Sequence, residues 1–479
     1  MEILLLNPPM YVKELHTENL TKRNRLWEFL IGENGILSGK QPITGRQPPL
    51  GLLYLSAILK KHNHKVHFLD GFFNTKDEIL DYIKKHNIKN VGISSVSYNW
   101  RRAKELIDGI KSQNPDIFVI TGGPHPNVWR EKCFEESSNL DALSIGDSEF
   151  TLLEILDRRE MGKSLKGVKG TIVRENGKVI INPPREPIQD LDSLPFLDRD
   201  IIEIEKYQPS PLFYKKLPWT AIIGSRGCPY RCTFCHSDKR LRLRSPKNIV
   251  DEMEFLMRRY GIKDVTFYDE TFTIPKKRVL EICDEIKKRK LDMVWSVNAR
   301  VNTVDKEILT KMKQAGCWRV LYGLESGVQS VLNRMKKDIT PQQMKDAIRL
   351  TRDVGLESYG IFIFGMPNET YEMGLETIKF AKTLDLDYCA FSTLDPLPGT
   401  EVYEEVKDEA GYKGVDYLYS GAISYTSKLT TEENLKKLVR RGYRKFYLRP
   451  SYALRRLSRI RSGEDFKRNL RGFFLVASS

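Results

Sequence analysis

Three cysteines lie within eight residues near the middle of the chain, at Cys228, Cys232 and Cys235. A C-x3-C-x2-C spacing allows one loop to hold one face of an iron–sulfur cluster through thiolate ligands, and Gly224 and Gly227 give that loop the backbone freedom it needs. Three ligands leave one iron of a four-iron cluster open. Because an open metal position is where a small molecule binds and reacts, the spacing predicts a catalytic cluster.

Other roles fit these thiols less well. A zinc site would require a second C-x-x-C or a Cys/His pair, and neither follows; adjacent residues such as Cys235 and His236 rarely point at the same ion. A disulfide framework is unexpected in a chain of 479 residues with seven cysteines. The remaining cysteines are scattered and flanked by apolar residues, which predicts buried packing thiols: Cys133, Cys283, Cys317 and Cys389.

The length of 479 residues predicts two to three domains. The composition, 40% hydrophobic and 29% charged residues, is that of a soluble globular protein. The longest apolar runs, such as 50–59, are shorter than the roughly 20 residues of a membrane span. The amino end lacks the basic start and small-residue cleavage site of a signal peptide. We therefore expect a cytoplasmic protein, which suits thiolates and an oxygen-sensitive cluster.

Residues 1–165 predict a Rossmann-like domain, an open parallel sheet with helices on both faces. The predicted strands are 3–6, 66–69, 91–95, 118–121 and 142–145, and the predicted helices include 51–61, 76–86 and 100–113. Ligands of such sheets bind beyond the carboxyl ends of the strands. Small or polar residues stand there, although a sharp turn also favours glycine: Asn7, Ser94, Ser95, Gly122, Gly123, His125, Gly146 and Glu149.

The next two segments predict a connector at 166–218 and a partial barrel at 219–410. The connector holds a hairpin that turns at Asn176-Gly177, followed by a proline-rich crossing. The barrel segment repeats strand then helix six times, with strands at 221–223, 265–268, 294–297, 320–324, 361–364 and 390–394. A complete eight-unit barrel takes about 250 residues, so six units predict an open (β/α)6 barrel with its chemistry at the carboxyl ends of the strands.

The three-cysteine loop, including the aromatic Phe234 before its last cysteine, resembles the signature of the radical S-adenosylmethionine (SAM) superfamily. The motifs Gly-Leu-Glu-Ser-Gly, Ile-Phe-Gly-Met-Pro-Asn-Glu-Thr and Pro-Leu-Pro-Gly-Thr extend that resemblance along the barrel segment. The resemblance implies a 4Fe–4S cluster whose open iron binds SAM, and reductive cleavage of SAM to a 5′-deoxyadenosyl radical.

The resemblance to this superfamily suggests a role for each strand end. Asp269 or Glu270 would take the SAM ammonium, and Arg300 would pair with its carboxylate. Glu325 and Ser326 would hold the ribose hydroxyls. The remaining positions would bed the adenine or complete the site: Phe234, Asn298, Gly365, Met366, Pro367, Leu397 and Pro398. Solubility alone could explain any one of these polar strand ends, but it explains the whole set poorly.

The amino-terminal segment resembles the cobalamin-binding domain that precedes the radical domain in one branch of this superfamily. The resemblance rests on the run containing Pro49, Leu50 and Gly51, on Gly-Gly-Pro-His and on Gly-Asp-Ser-Glu. The Asp-x-His-x-x-Gly motif that ligates cobalt elsewhere is missing. The resemblance thus implies a corrin without a histidine from that motif, and His125 would contact the nucleotide tail. The loop 10–47 would cover a corrin face or pack on the surface.

Residues 411–479 form a basic helical tail. Between Lys436 and Arg471 stand fourteen Lys and Arg and two acids, which accounts for twelve of the chain's net charge of +15. Apolar residues recur at helical spacing from Leu435 to Tyr447. Such a helix could lie on an anionic membrane or attract a phosphorylated or nucleic-acid partner. It could also close the barrel with snorkelling arginines, the interpretation that we favour for its first half.

We therefore predict a cobalamin-dependent radical SAM enzyme that methylates an unactivated carbon. The alternatives are non-methylating chemistry with the same cofactors, such as cyclisation, hydroxylation or rearrangement, and radical modification of RNA. A non-catalytic metal protein that binds nucleic acid would leave the polar strand ends unexplained. The expected partners are a small-molecule, lipid or isoprenoid substrate, an electron donor of the flavodoxin or ferredoxin type, and a membrane surface contacted by the tail.

Overall fold

The structure is a computed structural model that describes residues 1–9, 46–414 and 423–458. The loop predicted to cover a corrin face lies outside the described residues except for its last two positions. The last part of the basic tail, 459–479, also lies outside them. The described chain divides into two compact units, one built mainly from 48–206 and the other mainly from 207–414 and the tail.

The first unit is built on a sheet in the order β2-β1-β3-β4-β5-β6-β7. Its strands are β1 (Glu2–Asn7), β2 (Lys65–Asp70), β3 (Asn90–Ser94), β4 (Phe118–Gly122), β5 (Ala142–Ser144), β6 (Thr171–Glu175) and β7 (Lys178–Ile181). Its helices are α1 (Leu50–Lys61), α2 (Lys76–Lys85), α3 (Trp100–Gln113), α4 (Pro124–Trp129), α5 (Lys132–Glu136) and α6 (Glu149–Glu160). The first five strands are parallel, as predicted.

Burial explains why the inner strands of this sheet are continuous apolar runs. Ile3 to Leu6 of β1 are completely buried, because both faces of a parallel sheet are covered by helices. Trp100, Leu106 and Ile110 of α3 pack into the same core. Helices therefore carry a single apolar stripe, whereas the strands between them are apolar on both sides.

The hairpin predicted for the connector belongs to the first sheet. Asn176 and Gly177 both have positive φ, the geometry that this two-residue turn requires. Strand β6 pairs antiparallel with β5, and β7 pairs with β6, so the hairpin extends the parallel sheet at one edge.

The second unit is built on six parallel strands in the order β15-β14-β13-β12-β11-β8. Its strands are β8 (Trp219–Ile222), β9 (Ser225–Arg226), β10 (Arg242–Leu243), β11 (Asp264–Phe267), β12 (Val294–Ala299), β13 (Cys317–Glu325), β14 (Glu357–Phe364) and β15 (Tyr388–Thr393). Its helices are α7 (Pro246–Tyr260), α8 (Lys276–Lys288), α9 (Lys306–Gln314), α10 (Gln329–Arg334), α11 (Pro341–Asp353), α12 (Tyr371–Thr383), α13 (Glu401–Val406), α14 (Glu432–Tyr447) and α15 (Pro450–Ser458). Strands β8 and β15 are the two edges, so the described sheet is open. The predicted α/β class is confirmed.

The tail protects the β15 edge. The Tyr447 hydroxyl accepts a hydrogen bond from the Cys389 N–H at 2.9 Å and donates to the Cys389 carbonyl at 2.7 Å. Tyr452 of α15 donates to the Asp387 carbonyl at 2.9 Å. An edge strand with free N–H and C=O groups is prone to pair with other chains. Two phenols therefore stand where the next strand would be.

Helix α14 also packs closely on the sheet and on α12. A Cβ at Gly374 would lie 2.5 Å from Leu438, and one at Gly442 would lie 2.8 Å from Phe391, so glycine at both positions permits this approach. The favoured interpretation of the first half of the tail, a helix that closes the second unit, matches this packing. Among the helices that the structure describes, none combines the length and the hydropathy that a membrane crossing demands.

Candidate functional site

The cysteine loop follows β8 and is folded by its own backbone. Gly227 has a φ of 86°, and a Cβ there would lie 2.3 Å from the Arg240 carbonyl oxygen, so only glycine fits. The Cys228 N–H donates to the Asp238 carbonyl at 2.8 Å, and the Cys235 N–H donates to the Cys232 carbonyl at 3.2 Å. These bonds turn the loop back on itself.

The chemistry of this donor set fits an iron–sulfur cluster. All three thiols are free, Cys228 and Cys232 are half-buried, and Cys235 is exposed. The other four cysteines are free as well but buried in the core, as packing thiols are. Burial raises the pKa of Cys133 and of Cys283 to about 12, and it also raises the pKa of Cys235 in the loop, so exposure and not pKa sets the loop thiols apart. The described residues thus offer three accessible thiols on one loop, and an iron left without a thiol could bind a small molecule.

The two predicted carboxylates after β11 have different surroundings. Asp269 is completely buried and accepts hydrogen bonds from the Gly224 N–H and the Ser225 hydroxyl, both at 2.6 Å. Burial raises the pKa of Asp269, which Arg278 and these bonds offset in part. Glu270 is exposed and accepts from the Ser237 hydroxyl at 3.1 Å. Asp269 therefore anchors the start of the cysteine loop, and Glu270 is the carboxylate that a ligand ammonium can reach.

Arg300, at the end of β12, reaches the cysteine loop. Its guanidinium lies over the Tyr230 ring at 3.7 Å from the ring centre, and one N–H donates to the Cys232 sulfur at 3.4 Å. A second N–H donates to the Lys337 carbonyl. Asn298 donates to the Asp269 carbonyl at 3.2 Å. A buried cation beside a cysteine ligand favours a negatively charged cluster or carboxylate there.

Glu325, the last residue of β13, and Ser326, which follows it, have different hydrogen-bond partners. Glu325, with a positive φ of 62°, accepts a hydrogen bond from the Lys337 ammonium at 2.7 Å, and both side chains are buried. Ser326 is completely buried and bonds to the Thr377 hydroxyl at 3.0 Å. Lys337 was not among the predicted site residues, because a Lys-Lys pair before a helix looks like a solvated surface. No sequence signal separates it from Lys336.

The turn after β14 is held by a buried glutamate. One carboxylate oxygen of Glu369 accepts from the N–H groups of Gly365 at 2.7 Å and Met366 at 3.0 Å. The other oxygen is buried and has no hydrogen-bond partner among the described residues. Burial raises the pKa of Glu369 to about 7, against the opposing effect of those two N–H bonds. Glu369 belongs to the Asn-Glu-Thr motif of the sequence, but only the structure shows that its side chain holds this turn by hydrogen bonds.

An apolar surface forms where the last strand ends meet the cysteine loop. Phe234 packs on a cluster that includes Met366, Leu394 and Val402. The Val402 N–H donates to the Thr233 carbonyl at 3.0 Å, which ties the segment after Leu397 and Pro398 to the loop. His236 bonds to the Gly399 carbonyl at 3.2 Å, a contact within the protein. The structure thus brings Phe234 and Met366 together in one apolar cluster.

The predicted residues of the first unit lie at the carboxyl ends of neighbouring strands β1, β3, β4 and β5. Gly123 has a φ of 101°, and a Cβ there would lie 2.8 Å from the Ser95 carbonyl oxygen. Asn7 donates to Asp70 at 2.8 Å. The other members are Ser94 ending β3, Ser95 after it, Gly122 ending β4, Gly146 after β5, the buried Glu149 in the first turn of α6, and Pro49, Leu50 and Gly51 at the start of α1.

His125 is the most distinctive side chain of this edge. It is buried, it stacks on Trp100 with ring centres 4.8 Å apart, and one ring nitrogen bonds to the Ser97 hydroxyl at 3.1 Å. Its other ring nitrogen, Nε2, has no partner among the described residues. Burial lowers the pKa of His125 to about 4, so the ring is neutral at physiological pH. A buried, neutral, unsatisfied nitrogen suits hydrogen bonding to a polar ligand group.

Comparisons with known proteins agree with this arrangement. The model of the Radical SAM superfamily matches residues 222–381, and the model of the B12 binding domain matches residues 41–156. The chain is 35% identical to the "Uncharacterized methyltransferase PH0819" of Pyrococcus horikoshii, over 99% of this chain and 98% of that protein. It is 30% identical to the anaerobic magnesium-protoporphyrin IX monomethyl ester cyclase of Rubrivivax gelatinosus, over 87% of this chain and 76% of that protein.

Solved structures share the fold. The cobalamin-dependent SAM radical enzyme OxsB superposes with a TM-score of 0.71 at 19% identity, covering 99% of this chain and 72% of its own. The methyltransferase TsrM from Kitasatospora setae gives 0.65 at 20%, covering 86% and 76%. The chain belongs to the radical SAM superfamily, in the branch whose members also carry a cobalamin-binding domain. It is an enzyme whose cofactors are a 4Fe–4S cluster, SAM and cobalamin, and the predicted family and cofactors are confirmed.

Proposed function

We propose that this enzyme transfers a methyl group to an unactivated carbon of a small-molecule substrate. The observation that carries the proposal is the 35% identity, over almost the full length of both chains, to a protein named a methyltransferase. The bound cofactors supply reductive cleavage of SAM and a methyl group carried on cobalt. The chain's own residues hold these groups, order the substrate and exclude water.

In this proposal the cysteine loop holds the cluster and the strand ends hold SAM. Cys228, Cys232 and Cys235 are the ligands. Glu270 accepts from the ammonium, because Asp269 is already engaged by the loop backbone. Arg300 offers its charge to the carboxylate.

The rest of the SAM molecule would lie on the later strand ends. We assign Glu325, which accepts a hydrogen bond from Lys337, to the ribose hydroxyls. Phe234 and Met366 form the adenine bed. Ser326 is the member of the predicted set with the least support, since its hydroxyl is buried against Thr377.

The cobalamin residues are proposed on the carboxyl edge of the first sheet. Gly122 and Gly123 allow the corrin or its tail to approach the backbone closely. His125 offers its neutral Nε2 to the nucleotide tail. The strand ends Asn7, Ser94, Ser95, Gly146 and Glu149, with the start of α1 at Pro49 to Gly51, complete the surface.

The cluster assignment predicts the outcome of cysteine substitution. Anaerobic reconstitution should give about one four-iron cluster per chain, and Cys228→Ala, Cys232→Ala or Cys235→Ala should each abolish 5′-deoxyadenosine formation, because every ligand of a three-cysteine site is needed. Iron content and 5′-deoxyadenosine are the readouts. Cys133→Ala is the control and should retain both, and full iron content in a loop variant would contradict the assignment.

The products of one anaerobic mixture of enzyme, SAM, cobalamin and reductant distinguish methylation from its alternative. Methyl transfer through cobalt yields S-adenosylhomocysteine in addition to 5′-deoxyadenosine. Formation of 5′-deoxyadenosine alone would favour non-methylating chemistry such as cyclisation, for which the 30% identity to the anaerobic cyclase is the supporting observation. Radical modification of RNA is a weaker third candidate.

We infer three partners besides the cofactors. The substrate is a small molecule, with a lipid or isoprenoid preferred because of the basic amphipathic tail. The electron for SAM cleavage comes from a flavodoxin- or ferredoxin-type donor. We place the enzyme in the cytoplasm, with peripheral contact of the tail at the inner face of the membrane.

A further inference from the structure

Helix α14 presents two different faces. On the packed face Leu435 lies over Gly365, where a Cβ would be 3.2 Å from its methyl group, and Leu438 lies over Gly374. The other face carries exposed cations, including Arg441 and Arg444. The packing contact therefore uses the apolar stripe of the helix, and the exposed cations of the other face take no part in it.

The cations line a surface groove of about 690 Å³ that runs along α14 beside α12. Seven of the ten lining residues are basic, and none is acidic. The groove is lined by Tyr371, Lys382, Lys437, Arg440, Arg441, Arg444, Lys445, Leu448, Arg449 and Pro450. So many like charges around one concave surface create a strong positive potential that attracts anions.

Intramolecular contacts neutralise little of this charge. Lys437 pairs with Glu433 at 2.7 Å, and Arg449 donates to the carbonyls of Phe446 and Lys382. The remaining four basic residues of α14 in the groove have no ion-pair partner within the described chain: Arg440, Arg441, Arg444 and Lys445. Cations in a last helical turn are favoured by the helix dipole, but that effect does not extend to those one turn earlier.

Exposed leucines accompany these cations. Leu448 lines the groove and is 61% exposed, and Leu454 on α15 is 69% exposed. They are among the most exposed large apolar side chains of the described chain. A nucleic acid or an acidic protein would be bound by the charges without them. Basic residues next to exposed leucines are the pattern of a surface that lies in the headgroup region of a membrane.

We propose that α14 and α15 dock the enzyme on an anionic lipid bilayer. The groove binds lipid phosphates, and Leu448 and Leu454 enter the boundary between headgroups and acyl chains. The proposal deepens the peripheral contact inferred above and is independent of the cofactor chemistry. It also explains how one helix can close the second unit and still carry an excess of unpaired charge.

The test is sedimentation of the full-length enzyme with vesicles of phosphatidylcholine alone or with phosphatidylglycerol. The groove variant changes Arg440, Arg441, Arg444 and Lys445 to Gln. The control variant removes the same number of charges from the α8 region, at Lys277, Lys287, Lys288 and Lys290. The wild type and the control should bind the anionic vesicles at 0.1 M salt, and the groove variant should bind at least about tenfold more weakly.

A second variant, Leu448→Ser with Leu454→Ser, separates insertion from charge attraction. It should reduce binding while the charges remain, and the residual binding should disappear more completely at 1 M salt, where the Debye length falls to about 3 Å. Equal binding to both kinds of vesicle, equal loss in groove and control variants, or no vesicle binding would overturn the proposal. A groove-dependent shift of RNA or of an acidic protein without vesicle binding would overturn it too.

The same preparations should make 5′-deoxyadenosine at the wild-type rate without vesicles, since none of the substituted residues contacts the cofactor site. Failure of vesicle binding with normal SAM cleavage would reject the docking surface alone. Loss of SAM cleavage in wild-type enzyme would reject the proposed function alone.

Discussion

Single buried residues shape the turns at the carboxyl edge of the second sheet. Glu369 illustrates this, because its carboxylate spans the N–H groups of Gly365 and Met366 and sets the turn on which the adenine would rest. The hydroxyl of Thr430 in turn donates to the Glu369 carbonyl at 2.7 Å. A positioning residue of this kind acts through the backbone, and its substitution should change the shape of the turn.

Glu369 should make stability depend on pH in a defined direction. Its folded pKa is about 7, above the ordinary value of 4.5, so the folded state holds the proton between these values while the unfolded state releases it. The melting temperature should therefore fall as pH rises from about 4.5 to 7 and level off above. Glu369→Gln should flatten this decline, measured as Tm of the apoprotein against pH.

The control for this measurement is Glu401→Gln, because Glu401 is exposed and pairs with Lys336 at the surface. It should leave the pH profile unchanged. Glu369→Ala should lower Tm at every pH, since it removes both backbone hydrogen bonds, each worth about 1 kcal/mol. An unchanged slope in Glu369→Gln would show that another group governs the titration.

At the scale of elements, the tail completes the sheet that it follows. Strand β15 is the edge where an eight-stranded barrel would continue, and α14 and α15 cover it. Since phenol groups replace a neighbouring strand, the sheet stops at six strands without exposing that edge. The tail is thus part of the second unit, not an appendage to it.

Tyr447→Phe tests this role. The change removes the hydroxyl and leaves the buried Cys389 N–H and C=O without a partner, which should cost about 2 kcal/mol. Urea denaturation is the measurement. Tyr371→Phe is a matched control that should have little effect, and truncation after Asn434 should destabilise far more. If Tyr447→Phe were as stable as the wild type, the edge would not depend on this bond.

At the scale of the whole molecule, each unit has candidate cofactor residues at the carboxyl ends of its parallel strands. The first unit offers glycines and His125, and the second offers cysteines and charged side chains. The two units differ in residue type because their cofactors differ: a bulky corrin must approach the backbone closely, whereas an iron–sulfur cluster needs thiolate ligands. The basic tail belongs to the second unit.

Cobalamin binding by the intact enzyme should show no nitrogen ligand from the protein. The sequence lacks Asp-x-His-x-x-Gly, and the free Nε2 of His125 is assigned above to the nucleotide tail. The Co(II) electron paramagnetic resonance spectrum should therefore lack nitrogen splitting from a histidine. His125→Ala should weaken binding without changing that spectrum, and the exposed His62→Ala should change neither. A nitrogen splitting lost in His125→Ala would assign His125 to cobalt.

The sequence by itself determined the family, the cofactors and most strands. A C-x3-C-x2-C loop and strand–helix alternation are local patterns. The prediction of three cysteine ligands therefore came from spacing, and both parallel sheets, which the structure confirms, came from periodicity. The hairpin at Asn176-Gly177 was equally local, although only the fold showed that it pairs with β5.

Tertiary structure alone decided the contacts between distant segments. Asp269 and Glu270 are adjacent in sequence, yet burial commits one to the loop backbone and leaves the other accessible. Lys337 and Glu369 became visible as positioning residues only where they meet Glu325 and Gly365. The surroundings of the two faces of α14 were also known only from the fold. Hydrophobic spacing predicts that one face of the helix is buried, but it does not specify which residues that face covers. Which partner a buried charge finds depends on packing across the chain, and no local pattern encodes that.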